Sequence, residues 1–184
     1  MSTPRKPVVH DRRQRGESGL FRVEEVDLEF SNGERRTYER VASSGLGAVI
    51  VVPVTAEGEV MLIREYACGV DDYTLGLPKG RLEPGEDPLD GANRELREEI
   101  GHGARDLVTL MDLTLAPGYM GHRTRVVLAR DLHEAPLPGD EPEPIEVLRW
   151  PLADIWELAQ RPECHEGRSI AALYLARDYL EHHP

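Results

Sequence analysis

The chain has 184 residues, of which 40% are hydrophobic and 30% are charged, and its formal net charge is −12. This length suits one domain, and the negative charge argues against a general nucleic-acid-binding protein, which needs clustered Lys and Arg against phosphates. No apolar run approaches the roughly 18 residues that span a membrane. The N-terminus lacks the apolar middle of a secretory signal, and Cys68 and Cys164 are the only cysteines. We therefore expect a cytoplasmic protein without a membrane partner.

The N-terminal part of the chain has two predicted segments. Residues 1–18 contain prolines and basic side chains with few apolar neighbours, which predicts a flexible basic tail. Residues 19–44 are predicted to form a β-hairpin extension, because Val26, Leu28 and Phe30 alternate with acidic residues before an Asn-Gly turn. The main domain is predicted to cover residues 45–184.

Five further strands and three helices are predicted in the main domain. Hydrophobic periodicity places strands at 48–54, 60–66, 107–115, 123–132 and 145–150, and helices at 88–100, 151–161 and 169–182. Residues 75–81 are interrupted by Gly and Pro and lead into a predicted loop at 83–86. The acidic, proline-rich segment 133–144 is also interpreted as a loop. The order of elements predicts a mixed α/β (α+β) fold with a hairpin in front of it.

The first predicted helix carries three carboxylates on one face. Asp87 is a suitable N-cap before Pro88, and Gly101 is placed to end the helix. Residues three and four apart share a face, so the side chains listed next converge: Glu95, Glu98 and Glu99. A solvated acidic face is the ordinary interpretation of such a cluster. A hard cation such as Mg²⁺, which prefers carboxylate oxygens, is the functional one.

The spacing around these carboxylates decides between the two interpretations. The pattern G-x5-E-x7-R-E-U-x-E-E-x-G-U, the Nudix box, is matched at every fixed position, by Gly80, Glu86, Arg94, Glu95, Glu98, Glu99 and Gly101. The last position of the pattern asks for a bulky aliphatic residue and holds His102, which affects packing behind the helix. On this spacing the chain is identified as a member of the Nudix hydrolase family.

This resemblance implies a Nudix fold, in which a mixed β-sheet lies between helices. It also implies a divalent metal site, for Mg²⁺ or Mn²⁺, in which Glu95 and Glu99 are the principal ligands. Glu98 would be a further ligand or hold a water molecule, and the backbone carbonyl of Lys79 would complete the set. The resemblance gives the other box residues a structural role: Gly80, Glu86, Arg94 and Gly101.

A general base is still needed outside the box. Glu141 and Glu143 lie in the acidic loop after the strands, and similar enzymes for ADP-ribose carry a catalytic Glu on a comparable loop. Considered alone, these two residues fit solvated loop charges better than a catalytic role, and the resemblance brings the two interpretations level.

The substrate class is suggested by three stretches outside the box. Residues 26–40, 62–66 and 139–150 resemble the bacterial ADP-compounds hydrolase and ADP-ribose pyrophosphatase-like subgroup. That resemblance implies hydrolysis of small nucleotides, namely ADP-ribose, NADH and diadenosine triphosphate, with release of AMP. It also implies a homodimer formed with the N-terminal hairpin. Arg40 and Arg64 are the candidates for substrate binding, with surface or interface salt bridges as the alternative.

Three rival functions remain at this point, and one of them is an RNA-processing role through the basic tail of residues 1–18. Another is a Nudix hydrolase for another nucleoside diphosphate linked to a second group, such as a nucleotide sugar, CoA or a capped RNA end. The third is a catalytically silent nucleotide sensor, which the intact set of Glu95, Glu98 and Glu99 disfavours.

Overall fold

The computed structural model describes residues 5–19, 21–43 and 45–183. The strands are β1 (Val8–Glu17), β2 (Arg22–Glu29), β3 (Arg35–Val41), β4 (Ala48–Pro53), β5 (Glu59–Ala67), β6 (Asp72–Gly76), β7 (Lys79–Arg81), β8 (His102–Thr114), β9 (Arg123–Glu134) and β10 (Glu146–Pro151). The helices are α1 (Pro88–Glu99), α2 (Ile155–Leu158) and α3 (Gly167–His182). The chain divides into two compact units, one up to Gly45 together with Thr114–His122, the other containing Leu46–Leu113 and the residues from Arg123 onward.

The first unit is built on an antiparallel sheet with the strand order β1-β2-β3. The hairpin predicted from the Asn-Gly turn is present, since the N–H of Phe30 donates to the carbonyl of Glu34 at 2.9 Å. Gly33 in this turn has a φ of 81°, which a glycine adopts without strain.

Strand β1 corrects the prediction of a tail. Residues 8–17 form a strand paired along β2, so the tail prediction was wrong for them, while residues 1–4 lie outside the described residues. The guanidinium of Arg13 donates to Glu25 at 2.9 Å and to Asp27 at 2.7 Å on β2. The basic residues therefore have acidic partners on the neighbouring strand, and local composition does not show such partners.

The second unit contains a mixed four-stranded sheet, β7-β4-β9-β8, and an antiparallel sheet, β10-β5-β6. Strand β4 runs parallel to β9 and antiparallel to β7, and all of its residues are buried. Val51 belongs to the core cluster that includes Leu96 of α1, whereas Ile50 belongs to the cluster that includes Leu173 of α3. Successive residues of a strand point to opposite faces, so β4 is covered by helices on both sides. This arrangement confirms the predicted fold class.

Two segments differ from their predictions. The Gly- and Pro-interrupted segment 75–81, for which no strand was predicted, contains the end of β6 and all of β7, and β7 pairs with β4 so that Lys79 lies opposite Ile50. The helix predicted over 151–161 is a 3₁₀ turn followed by the single turn of α2. Within the described ranges, no helix is both long and apolar enough to cross a membrane.

Candidate active site

Helix α1 begins and ends where its sequence predicts. The side chain of Asp87 accepts a 2.8 Å hydrogen bond from the N–H of Leu89, and Pro88 occupies the first turn, where no backbone donor is needed. At the other end Gly101 has a φ of 71°, which stops the helix. Leu96 is fully buried against β4, and this contact fixes which face of α1 turns away from the core.

Two carboxylates of α1 are buried. Glu95 is 7% exposed and Glu99 is 6% exposed, whereas Glu98 is half-buried. Burial raises the pKa of Glu95, and it raises the pKa of Glu99 to about 9, because removal from water disfavours the charged form. Two carboxylates that are unfavourably charged in the free protein form a site that a bound cation would stabilise.

Strand β7 contacts Glu99 through Lys79. The backbone N–H of Lys79 donates to Glu99 Oε2 at 3.0 Å. The ammonium group of Lys79 pairs with the carboxylate of Glu65 on β5. The charge of Lys79 partly opposes the effect of burial on the pKa of Glu99, and the charge of Glu65 adds to it. Glu65 is thus a further acidic residue at the site that sequence reasoning missed.

Arg94 connects the carboxylates of α1 to the loop before it. Its Nε donates to Glu86 at 2.9 Å, and its Nη1 donates to Glu95 at 2.8 Å and to Glu98 at 2.9 Å. Its Nη2 donates to the carbonyl of Arg81 at 3.1 Å. These contacts tie Glu86 to α1, and the ion pair lowers the pKa of Glu86, while the structural role of both residues stays a prediction.

Two glycines allow the loop and the helix to approach each other closely. A Cβ at position 80 would collide with the carboxylate of Glu95, so glycine allows that carboxylate to lie against β7. A Cβ at Gly91 would meet the side chain of Leu82 and lie 3.0 Å from Glu86 Oε2. Gly91 is outside the fixed positions of the box, and no sequence signal marked it.

An open cleft of about 730 Å³ lies beside α1 and β7, and its lining includes Glu95, Glu99 and Lys79. The loop between β9 and β10 (135–145), called the β9–β10 loop below, contributes Glu141 to this cleft. The carboxylate of Glu141 lies so close to Gly139 that a Cβ there would collide with it. Glu143 is exposed, and its Oε1 accepts a 2.6 Å hydrogen bond from the hydroxyl of Tyr73. The structure therefore separates the two candidate bases: Glu141 lines the cleft and Glu143 is engaged with Tyr73.

Comparison with protein families shows which family the chain with this cleft and set of carboxylates belongs to. Residues 46–172 match the family model of the NUDIX domain, and residues 7–40 match that of the NudE-type Nudix hydrolase N-terminal domain. The chain belongs to the Nudix hydrolase family. The match at residues 7–40 also agrees with the ordered β1, where a tail was predicted.

The chain matches the two relatives named next over 96% and 80% of its length. It is 46% identical over 176 residues to the ADP compounds hydrolase NudE of Escherichia coli K12, which covers 96% of this chain and 94% of that protein. An ADP-ribose pyrophosphatase of Bacillus subtilis 168 is 32% identical over 149 residues, or 80% of each chain. A crystal structure of an ADP compounds hydrolase superposes with a TM-score of 0.92 at 44% identity, covering 100% of this chain and 98% of the other.

Nudix hydrolases generally need a divalent metal ion, and the carboxylates of α1 can be tested against that need. In the described part of the chain, no three Asp, Glu, His or Cys side chains are gathered into a formed metal site. Glu95 and Glu98 instead accept hydrogen bonds from Arg94, and Glu99 accepts one from Lys79. The donor set still fits a hard cation, because it consists of carboxylate oxygens and two of them are buried with a raised pKa.

The two candidate substrate arginines both form salt bridges. Arg40 on β3 donates to Glu24 on β2 at 2.9 Å. Arg64 on β5 pairs with Glu146 at 2.9 Å, directly across from it on β10. The salt bridges are the alternative that the sequence left open, and a role in substrate binding remains a prediction for both residues.

Proposed function

We propose that this Nudix hydrolase cleaves the diphosphate bond of ADP-containing compounds, namely ADP-ribose, NADH and diadenosine triphosphate, and releases AMP. The observation that carries the proposal is a pair of buried carboxylates in an open acidic cleft, where Glu95 lies against Gly80 and Glu99 accepts a hydrogen bond from Lys79. The ADP compounds are favoured over other nucleoside diphosphates by the 46% identity to an ADP compounds hydrolase.

We further propose that Glu95, Glu98, Glu99 and the carbonyl of Lys79 hold Mg²⁺ or Mn²⁺. A bound divalent cation supplies charge that neutralises the diphosphate and makes water more acidic. Arg94 keeps Glu95 and Glu98 on the same side of α1 through its two hydrogen bonds to them. Its guanidinium fork is shared with Glu86, so the loop before α1 and the ligands move together.

The general base in this proposal is Glu141. Its carboxylate lines the cleft and lies close enough to Glu95 for its charge to add to the raised pKa of that residue. The base must reach the water that attacks phosphorus, and residues of a loop at the cleft mouth suit that task. Glu141 accepts the proton of the attacking water, the hydroxide forms the new P–O bond, and AMP departs when the bridging P–O bond breaks.

Substrate binding, assembly and location complete the proposal. Arg64 shares a small cavity of about 120 Å³ with Glu141 and Glu143, which supports the proposal that it contacts the substrate beyond the cleft. Arg40 is proposed to take part from the N-terminal sheet. That sheet has an exposed apolar face that includes Val9 and Tyr38, which supports a homodimer through this unit. Both cysteines are free thiols, which supports a cytoplasmic location.

The test is AMP release from ADP-ribose, NADH and diadenosine triphosphate, measured with Mg²⁺, with Mn²⁺ and with EDTA. The wild type and Glu99→Gln are compared, with Glu181→Gln, an exposed residue on α3, as the matched control. We expect AMP only with metal, from the wild type and the control. If none of the three compounds is hydrolysed, the proposed substrate class is wrong, and nucleotide sugars, CoA and capped RNA are tested next.

A further inference from the structure

A hydrogen bond joins the β9–β10 loop to a distant part of the fold. The hydroxyl of Tyr73 on β6 donates to Glu143 Oε1 at 2.6 Å, although 70 positions separate the two residues in the chain. The ring of Tyr73 packs edge-on against Tyr66 on β5, with ring centroids 5.7 Å apart, and the two residues lie opposite each other in the sheet. Tyr73 is therefore held by a regular strand and presents a fixed donor to the loop.

The beginning of the same loop is attached to the end of α1. The N–H of Leu137 donates to the carbonyl of Arg97 at 2.9 Å, and Arg97 Nε donates to the carbonyl of Ala135 at 3.0 Å. The N–H of Ala135 donates to the carbonyl of Gly101 at 2.9 Å. Glu141 lies between these contacts and the contact of Glu143 with Tyr73, so the loop is fixed on both sides of the proposed base.

The backbone between Glu141 and Glu143 is stiff enough for the hydrogen bond of Glu143 with Tyr73 to restrict Glu141 as well. Each of these residues precedes a proline, Pro142 and Pro144. Proline fixes its own φ near −65° (roughly ±15°) and keeps the residue before it in an extended conformation. Glu141 and Glu143 are thus joined by stiff backbone, and a constraint on the side chain of Glu143 limits the positions open to Glu141.

We propose that Tyr73 is a positioning residue, which holds Glu141 at the cleft by fixing Glu143. This inference rests on the proposed function, in which Glu141 accepts the proton. In this inference the hydrogen bond between Tyr73 and Glu143 is the anchor of the loop, and Glu143 takes no part in the chemical step. The hydrogen bond is on the surface, where it contributes little to the stability of the fold, so its purpose is local order.

The test compares Tyr73→Phe with Tyr66→Phe. Both changes remove one hydroxyl from an exposed ring, but that of Tyr66 donates to Asp71 in its own hairpin at 2.6 Å and not to the loop. With ADP-ribose and Mg²⁺ we expect Tyr73→Phe to lower kcat about 10-fold to 100-fold with KM changed less than about 2-fold, because small misplacements of a catalytic group cost that much. Tyr66→Phe is expected to match the wild type.

Glu143 variants decide whether Tyr73 acts through this residue. Glu143→Ala removes the acceptor and is expected to lower kcat as much as Tyr73→Phe, with no further loss in the double variant. Glu143→Gln keeps an acceptor for the tyrosine hydroxyl and is expected to retain nearly full activity. A large loss in Glu143→Gln, additive losses in the double variant, or an unchanged kcat in Tyr73→Phe would each overturn the inference.

A measurement without substrate separates this inference from the proposed function. NMR relaxation order parameters of the amides of Gly139, Glu141 and Glu143 are expected to fall from about 0.8 toward about 0.6 in Tyr73→Phe and to stay unchanged in Tyr66→Phe. If the wild type hydrolyses no ADP compound, the proposed function fails and these order parameters decide alone. A fall confined to Tyr73→Phe then upholds the anchor, and equal order parameters in all three proteins overturn it.

Discussion

The backbone N–H of Lys79 donates a 3.0 Å hydrogen bond to the carboxylate of Glu99, which ties β7 to the last turn of α1. The bond stabilises the charged form of Glu99, but burial has the larger effect, and the pKa rises to about 9. In the metal site proposed above, a ligand that takes up a proton when the cation is removed would couple the stability of the protein to both pH and metal.

The first prediction concerns the stability of the metal-free protein. The pKa of Glu99 is raised in the folded chain, to about 9, so between its usual range and that value the folded state binds more protons than the unfolded state. Stability from this group is therefore complete at low pH and is lost as the pH rises, at up to about 1.4 kcal/mol per pH unit. Glu99→Gln removes this dependence.

Urea unfolding in EDTA, from about pH 5 to about pH 9, measures the effect as the difference between the wild type and Glu99→Gln. The free energy of unfolding of the wild type is expected to fall relative to the variant as the pH rises. Parallel pH curves for the two proteins would contradict the raised pKa.

The second prediction concerns the closeness of Gly80 to Glu95. A methyl group at position 80 would collide with the carboxylate, so Gly80→Ala displaces Glu95 from its place in the cleft. We expect AMP formation to fall about 10-fold to 100-fold, as for changes to groups that orient metal ligands, with a higher Mg²⁺ requirement. Gly69→Ala is the matched control, because nothing lies within 4 Å of its added Cβ. Full activity in Gly80→Ala would show that Glu95 does not need this position.

The sequence predicts those parts of the site whose residues lie close together along the chain. Asp87, Glu95 and Glu99 lie within thirteen consecutive positions, and the helix period alone brings the two glutamates to one face. The cap of Asp87 and the end of the helix at Gly101 also depend only on neighbours in the chain. These features follow from local geometry, and the structure has them as predicted.

The missed parts depend on partners far away in sequence. Residues 8–17 form a strand because Arg13 meets acidic residues of β2, and the register of the sheet brings them together. Glu65 lies inside β5, two positions after the buried run of that strand, and no sequence pattern marked it. Nothing near Tyr73 indicates a partner 70 positions later. Arg64 likewise has its salt-bridge partner, Glu146, on the neighbouring strand, far away in sequence.

The third prediction concerns the guanidinium fork of Arg94. Lysine carries its three donors on one nitrogen and lacks the planar fork that reaches Glu86 on one side and Glu95 and Glu98 on the other, so Arg94→Lys leaves partly buried carboxylates without a donor. We expect the free energy of unfolding to fall by about 2–4 kcal/mol. On the same helix, Arg97→Lys exchanges a contact with one backbone carbonyl and is expected to cost about 1 kcal/mol. Equal losses in urea unfolding of the two variants would contradict the role given to the fork.

The fourth prediction tests the proposed general base with the same substitution, Glu to Gln, at positions 141 and 143. Glu141→Gln keeps the shape of the side chain but cannot accept the proton of water, and we expect kcat to fall about 10²-fold to 10⁴-fold with KM little changed. Glu143→Gln is the matched control, because it lies two positions away and bonds Tyr73 at the loop surface.

The same ADP-ribose assay on the two variants decides which residue is the base. If Glu141 is the base, kcat falls in Glu141→Gln and is kept in Glu143→Gln. The opposite pattern, with kcat lost only in Glu143→Gln, would move the base to Glu143. Because Glu143 is the residue bonded to Tyr73, that outcome would also require the loop to release Tyr73 before the reaction.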